Sequence, residues 1–306
     1  MQSMNKLPPA STTTAALVTE GLGKSYGRVT ALDALSLRVE HGEVFGFLGP
    51  NGAGKTTTIR MLLGLVRPSA GTAQVLGQPA GPHGTSLRSD IGYLPGELAL
   101  WPGFTGWHTL RFLERLTGRP AVDRDALIAH LGLSDADLRR SVRTYSDGMK
   151  QKLGLIQALQ CRPRLVFLDE PTKGLDPIVQ QAFYDIVSET RARGTTVFFS
   201  SHILPEVERV CDRVAILRAG RLVASGTIEH VLASQRRRVR ATLTAPADFA
   251  AVASFGDIVV RTDTSVEMLV VRANLPALIS HLNALPLADL TIEPASLEDA
   301  FLEYYR

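Results

Sequence analysis

Apolar and polar positions change rhythm three times along this chain. From 17 to 77, β-prone segments such as LSLRVE and TAQVLG alternate with tight glycine turns, which predicts a small β-rich layer. From 89 to 160 the apolar residues recur at helical spacing and predict helices over 109–116, 124–131, 135–139 and 148–159, a helical insert. An α/β rhythm follows, with a strand over 164–168, a helix over 178–193, a strand over 195–200 and a helix over 205–211. Strands this apolar on both faces belong in a parallel sheet covered by helices. A strand pair over 213–217 and 221–226 turns at Ala219 and Gly220. The last stretch reads as strand RRVRATL, helix DFAAVASF, hairpin IVVRTDTSVEMLVVRA, helix LPALISHL, strand ADLTIEP and helix LEDAFLEYY. That β, α, β, β, α, β order is the order of a ferredoxin-like fold. The expected organisation is a flexible tail over 1–16, a main domain over 17–234 with its helical insert at about 89–160, and an accessory domain over 235–306.

Composition narrows the function classes. The 306 residues, 21% of them charged, form a globular chain with room for one large and one small domain. No apolar stretch approaches the roughly 20 residues that span a bilayer, so a membrane role is expected to come through a partner. The start, MQSMNKLPPASTTTAAL, lacks the apolar core of an export signal. The two cysteines, Cys161 and Cys211, sit in unrelated contexts and fit a reducing compartment. A formal charge of +3, from 33 basic and 30 acidic residues, is too balanced to imply nucleic acid. The one basic block, Arg236, Arg237, Arg238 and Arg240, reads as a solvated linker or as a contact for acidic lipid headgroups.

The densest chemistry lies in GPNGAGKTT at 49–57, which satisfies the phosphate-loop pattern GxxxxGK followed by Ser or Thr. A β-prone run precedes it and a helical pattern follows, the context that motif requires. Gly49, Gly52 and Gly54 let backbone N–H groups wrap phosphate oxygens at a helix start. Lys55 is expected to neutralise the β- and γ-phosphates, and the Thr56 hydroxyl to ligate Mg²⁺. Downstream, LVFLDE puts Asp169 and Glu170 at the carboxyl end of an apolar strand, where ligands of open α/β sheets bind. Asp169 suits a metal-holding role and Glu170 suits polarising the attacking water.

With these residues the chain resembles the nucleotide-binding subunits of ABC transporters, over about 17–226 and with the motifs in the family's order. The resemblance implies an α/β fold: a RecA-like P-loop NTPase cassette with antiparallel β and helical subdomains, plus a small α+β ferredoxin-like domain at the C-terminus. It implies that 49–57, namely Gly49, Pro50, Asn51, Gly52, Ala53, Gly54, Lys55, Thr56 and Thr57, contacts ATP, with Thr56 and Asp169 on Mg²⁺ and Glu170 catalytic. Tyr145, Ser146, Asp147, Gly148 and Met149 occupy the place of the family's LSGGQ signature, which faces the nucleotide of a second subunit. Ser146 and Gly148 are carried over as phosphate contacts in trans, whereas Asp147 replaces a glycine. Its charge is expected to point away from phosphate, with Lys150 and Lys152 offsetting it or simply solvated. By the same resemblance Tyr26 stacks on adenine, His202 contacts the γ-phosphate and Asp176 lies at the dimer seam. Each has a plainer reading as well: an edge tyrosine, a structural histidine and a helix cap before Pro177. The family's glutamine after the YLP-type strand is absent, Gly96 standing in its place with Glu97 next. Trp101, Pro102, Phe104 and Trp107 follow, as a partner surface or as the core of the insert.

The function implied is that of an ATPase of the ABC-2 exporter class. Such a subunit works as a homodimer around two ATP on the inner face of the cell membrane, driving drug, antibiotic, lipid or polymer export through a separate permease. Nucleic acid is not an expected partner. A soluble ABC ATPase acting on ribosomes or DNA is the alternative from another class, and a catalytically weak regulatory subunit, suggested by Asp147 and Gly96, is a third.

Overall fold

The computed structural model describes residues 15–81, 89–233, 236–246 and 249–293, and the chain divides into two compact units after Val223. The first unit begins with an antiparallel hairpin of β1 (Leu17–Tyr26) and β2 (Val29–Val39). Ala16, placed in the tail by its sequence, is already fully buried, and 1–14 lie outside the described residues. Next come β3 (Val44–Leu48), α1 (Lys55–Leu62), β4 (Ala70–Val75) and the two-residue β5 (Gln78–Pro79). Strands β2, β1, β4 and β5 form one antiparallel sheet in that order.

After β6 (Ile91–Leu94) four helices form the insert: α2 (Gly106–Thr117), α3 (Arg124–Leu131), α4 (Asp135–Arg139) and α5 (Asp147–Leu159). The chain then alternates through β7 (Leu165–Asp169), α6 (Pro177–Ala192), β8 (Thr196–Ser201), α7 (Leu204–Val210), β9 (Arg213–Arg218) and β10 (Arg221–Thr227). These strands build a six-stranded sheet of order β10-β9-β3-β8-β7-β6, parallel between β9 and β6. Every residue of β3, β7 and β8 is buried, as strands covered on both faces must be. Phe45, Phe47 and Phe167 surround Phe198 at centroid distances of 5.2 to 5.9 Å, fixing the three central strands together. The parallel register sets Asp169, the last residue of β7, beside Ser200 near the end of β8.

The second unit contains α8 (Ile228–Ala233), β11 (Arg237–Leu243), β12 (Gly256–Arg261), β13 (Ser265–Val270), α9 (Leu275–Leu282) and β14 (Leu287–Glu293). Its sheet has the order β12-β13-β11-β14 and is antiparallel throughout, the strand arrangement of a ferredoxin-like fold. Two details depart from the sequence reading. The helix expected over DFAAVASF is a single 3-10 turn, Ala250–Ser254: among the described side chains Phe249 and Val252 are buried there, and Gly256 already starts β12. The arginine block is no solvated linker, because it enters the central strand β11. Arg238 and Arg240 meet Glu267 at 2.6 and 2.8 Å, Arg240 also meets Glu293 at 3.2 Å, and Arg236 pairs with Asp257. The helix expected over LEDAFLEYY lies outside the described residues.

Candidate functional site

The segment 49–57 leaves β3 at the carboxyl end of the parallel sheet and turns into α1. Gly54 caps α1 at φ 105°, and a Cβ there would lie 2.4 Å from the Ala31 carbonyl oxygen, so the turn admits no side chain. Ala53 faces inward, its N–H donating to the Pro50 carbonyl at 3.1 Å and its carbonyl accepting from Gly220 at 3.1 Å. Lys55 is 5% exposed, and its ammonium donates to the carbonyls of Gly49 at 2.6 Å and Pro50 at 3.2 Å. Burial pulls this ammonium below its ordinary range, while the charges of Glu170 and Asp169 push back. A cavity of about 160 Å³ opens over the loop, lined by Pro50, Asn51, Gly52, Gly54, Lys55, Thr56 and Thr57 together with Ala31 and Glu170.

The two acids occupy different environments. Asp169 is 1% exposed; one carboxylate oxygen accepts from the Thr56 hydroxyl at 2.7 Å and the other from the Ser200 hydroxyl. Glu170 takes a left-handed backbone, φ 51°, and its Oε1 lies 3.1 Å from His202 Nδ1 and 3.7 Å from Lys55 Nζ. Lys55, Thr56, Asp169, Glu170 and His202, 147 positions apart at the extremes, thus form one contiguous polar cluster. A second cavity, of about 320 Å³, adjoins it and is lined by Arg60, Tyr93, Gly96, Glu97 and Lys173 as well as by Thr56 and both acids. Gly96 lies against Asp169, where a Cβ would stand 3.3 Å from Oδ2. Glu97 faces the same cavity from an exposed position.

Three polar side chains absent from the sequence reading complete the surroundings. Ser200 satisfies the buried carboxylate of Asp169. Glu206, 5% exposed, accepts from the Ser201 hydroxyl at 2.9 Å, and that hydroxyl accepts from the Ile203 N–H at 2.9 Å, bracing the segment that carries His202. Gln151 reaches from α5 to the carbonyls of Glu170 and Pro171. The hydroxyl pair ending the apolar run TVFFSS was the only signal of any of them in one dimension.

Other expected residues stand apart, since Tyr26, Ser146, Gly148 and Asp176 line neither cavity. The Tyr26 ring is 51% exposed, with the Lys24 ammonium 4.9 Å from its centroid. Ser146 caps α5, accepting from the Met149 N–H at 3.2 Å. The Asp147 side chain is 91% exposed and pairs with Lys150 at 3.0 Å. Gly148 approaches the loop after β7 so closely that a Cβ would lie 2.8 Å from the Gly174 carbonyl oxygen. Asp176 caps α6, accepting from Ile178 and Val179 at 3.1 and 3.0 Å. Trp101, Phe104 and Phe112 form a partly exposed surface cluster at 5.2 to 5.7 Å, rather than a core. Trp107 donates separately to Asp135 at 2.8 Å.

Comparison with known proteins matches residues 32–173 to the family described as "ABC transporter" and 235–293 to "EvrA-like ABC transporter, C-terminal domain". The Nod factor export ATP-binding protein I of Paraburkholderia xenovorans is 37% identical over 295 residues, covering 94% of this chain and 96% of that protein. The daunorubicin/doxorubicin resistance ATP-binding protein DrrA of Streptomyces peucetius is 42% identical over 218 residues, 70% of this chain and 66% of the relative. Among solved structures, one described as the ATP binding subunit of an ABC transporter superposes with a TM-score of 0.66 at 30% identity, over 71% of this chain and 91% of that one. Similarity of this extent, running through the phosphate loop and the acid pair, settles the family: the chain belongs to the ATP-hydrolysing, ATP-binding subunits of ABC transporters.

Proposed function

We propose that this subunit powers export of a drug-like, antibiotic, lipid or polymer cargo through a separate ABC-2 type permease, as a homodimer that closes on two ATP. The names of the relatives above, one in Nod factor export and one in drug resistance, support the direction of transport. One observation supports the dimer: Ser146 and Gly148, at the place of the family's signature, lie outside the cavity that holds Lys55, Thr56 and Glu170, which fits their being supplied by a second copy. The ATPase domain is taken as 17–234, with the insert at about 89–160, and the accessory domain as 235–306. Among the described residues no helix is long and apolar enough to cross a membrane. The transporter family supports a place on the inner membrane face through the partner, for which the half-exposed Trp101 and its neighbours Phe104 and Phe112 suit an apolar contact.

Within the site Lys55 exchanges loop carbonyls for the β- and γ-phosphates, and the free N–H groups opening α1 receive phosphate oxygens. Asn51, Gly52 and Thr57 line the same space, and Tyr26 offers an exposed ring for adenine. Mg²⁺ fits the donor set at Thr56 and Asp169: a hydroxyl and a carboxylate 2.7 Å apart, without a group of three or more acids, histidines or cysteines arranged to hold a metal among the described residues, match an ion that keeps waters and phosphate oxygens. Bound there, it would neutralise charge between the phosphates. Glu170 accepts the proton of the attacking water, and His202, bonded to it at 3.1 Å, holds that carboxylate in place.

The Glu170→Gln variant tests this reading. It should retain ATP, accumulate as a dimer and lose nearly all hydrolysis, and it should recover a polytopic membrane protein from native membranes. A variant that stays monomeric with ATP and hydrolyses normally refutes the shared site, and recovery of ribosomes or DNA refutes the exporter role.

A further inference from the structure

Helix α5 carries one buried polar side chain that hydrolysis, as described, does not use. Gln151 lies just past the first turn of α5 and is 7% exposed. Its amide nitrogen donates to two consecutive carbonyls of another element, Glu170 at 3.2 Å and Pro171 at 2.8 Å. Those carbonyls belong to the turn by which the chain leaves β7, where Glu170 has φ 51°. A residue with a side chain keeps that conformation only where its surroundings over-determine it. Here the Glu170 N–H is held by the Ser200 carbonyl at 3.1 Å, from β8, and its carbonyl is held by Gln151, from α5. With both backbone dipoles anchored, the direction of the carboxylate toward His202 and Lys55 is set. The same two elements touch a second time, Gly148 lying against the Gly174 carbonyl with no room for a Cβ.

We propose that Gln151 is a positioning residue for ATP hydrolysis: its amide holds the left-handed turn at Glu170 and makes α5 and the catalytic turn of the same subunit move as one body. The second half rests on the shared-site reading above. Ser146 and Gly148 open α5, so closure of a second copy's nucleotide onto them bears on this subunit's own Glu170 through Gln151.

Gln151→Met keeps the length of the side chain and removes its N–H donors. ATP affinity of the monomer and KM should stay within about twofold, while kcat falls roughly 10- to 100-fold, as a misplacement on the scale of an ångström costs a catalytic group. Gln151→Leu, also without the donors, should show the same loss, and native kcat in either variant overturns the proposal. Mixed dimers separate positioning from damage to α5. One subunit carries Glu170→Gln, leaving a single competent carboxylate, and Gln151→Met is placed either beside the intact Glu170 or in the other subunit. The loss should concentrate in the first arrangement; equal losses in both point to a distorted α5 and overturn the role. ATP-dependent dimerisation of Glu170→Gln is followed separately by sizing. Its failure sinks the shared-site reading and leaves the kcat comparison to decide on Gln151.

Discussion

Replacing Lys55 by Met separates what this lysine does for the fold from what it does for the nucleotide. The ammonium donates to two loop carbonyls, at 2.6 and 3.2 Å, and lies 3.7 Å from Glu170. Two hydrogen bonds from a charged donor contribute about 3–6 kcal/mol. Removing an ammonium from water costs several kcal/mol, in the opposite sense. The two terms nearly offset, so at neutral pH Lys55→Met should shift unfolding free energy by no more than about 2 kcal/mol.

The pH dependence is sharper. Burial is the largest influence on Lys55 and lowers its folded-state pKa below the ordinary 10.5. Between the depressed folded value and 10.5 the unfolded chain therefore binds more protons than the folded one, and stability rises with pH across that window. For one group the slope is at most about 1.4 kcal/mol per pH unit. Urea unfolding of wild type and Lys55→Met, followed from neutral pH toward 10.5, should show wild type gaining on the variant. Saturating ATP should flatten that gain, since phosphate charge favours the ammonium, and should stabilise wild type by about 2.7 kcal/mol at a hundredfold excess over Kd while leaving the variant unmoved. Parallel stability curves without ATP would refute the claim that burial governs this lysine.

Ser200→Ala leaves one oxygen of the buried Asp169 carboxylate without its donor and should cost about 1–3 kcal/mol in chemical unfolding. Glu206→Ala should lower kcat by freeing the Ser201–Ile203 brace beside His202, and Glu206→Gln, which keeps an acceptor oxygen, should restore it; equal losses in both would assign the effect to charge. Gly148→Ala sets a methyl 2.8 Å from the Gly174 oxygen, which should reduce ATPase turnover while ATP affinity of the monomer is unchanged. Asp123 joins α3 to Arg162 and Arg193, and the Arg162 hydrogen bond holds its carboxyl below the ordinary 3.8. Its contribution of about 1–2 kcal/mol is present above 3.8 and disappears as pH falls through the depressed value, so Asp123→Asn should be less acid-sensitive than wild type in unfolding.

Legibility in the sequence followed the range of the forces involved. The central strands were plain because every position of VFGFL and LVFLD is buried, and a run without alternation has few other uses. Helix ends shifted where a cap outranked the apolar rhythm. α5 begins at Asp147 because Ser146 caps it, and α2 begins three residues earlier than its spacing suggested because Thr105 receives the His108 N–H. The phosphate loop and the acid pair were legible because their chemistry is written in contiguous residues. Ser200, Gln151 and Glu206 were not, since each acts through a partner that only the packed strands bring near, and Ser200 meets Asp169 only through the parallel register of β7 and β8. The arginine block failed for the same reason, its acids lying 27 and 53 positions away on neighbouring strands.

What the site does before nucleotide arrives follows from its pairings. Lys55 is held by loop carbonyls, Thr56 by Asp169 and Glu170 by His202, so the ammonium, the hydroxyl and the two carboxylates of the cluster already have internal partners. On the proposed reading two of those contacts would have replacements in the loaded site: phosphate oxygens for the carbonyls around Lys55, and Mg²⁺, held by Thr56 and Asp169, for the hydrogen bond between them. Exchange of one partner for another costs far less than desolvating groups that had been facing water, and the side chains are fixed in advance. On the shared-site proposal, binding on one subunit is therefore strong without turnover. The remaining contacts on that proposal come from Ser146 and Gly148, which open α5 outside the cavity, on the helix whose Gln151 amide bonds the turn of Glu170. If two copies share the sites as proposed, the energy of filling one site is then available for closing two.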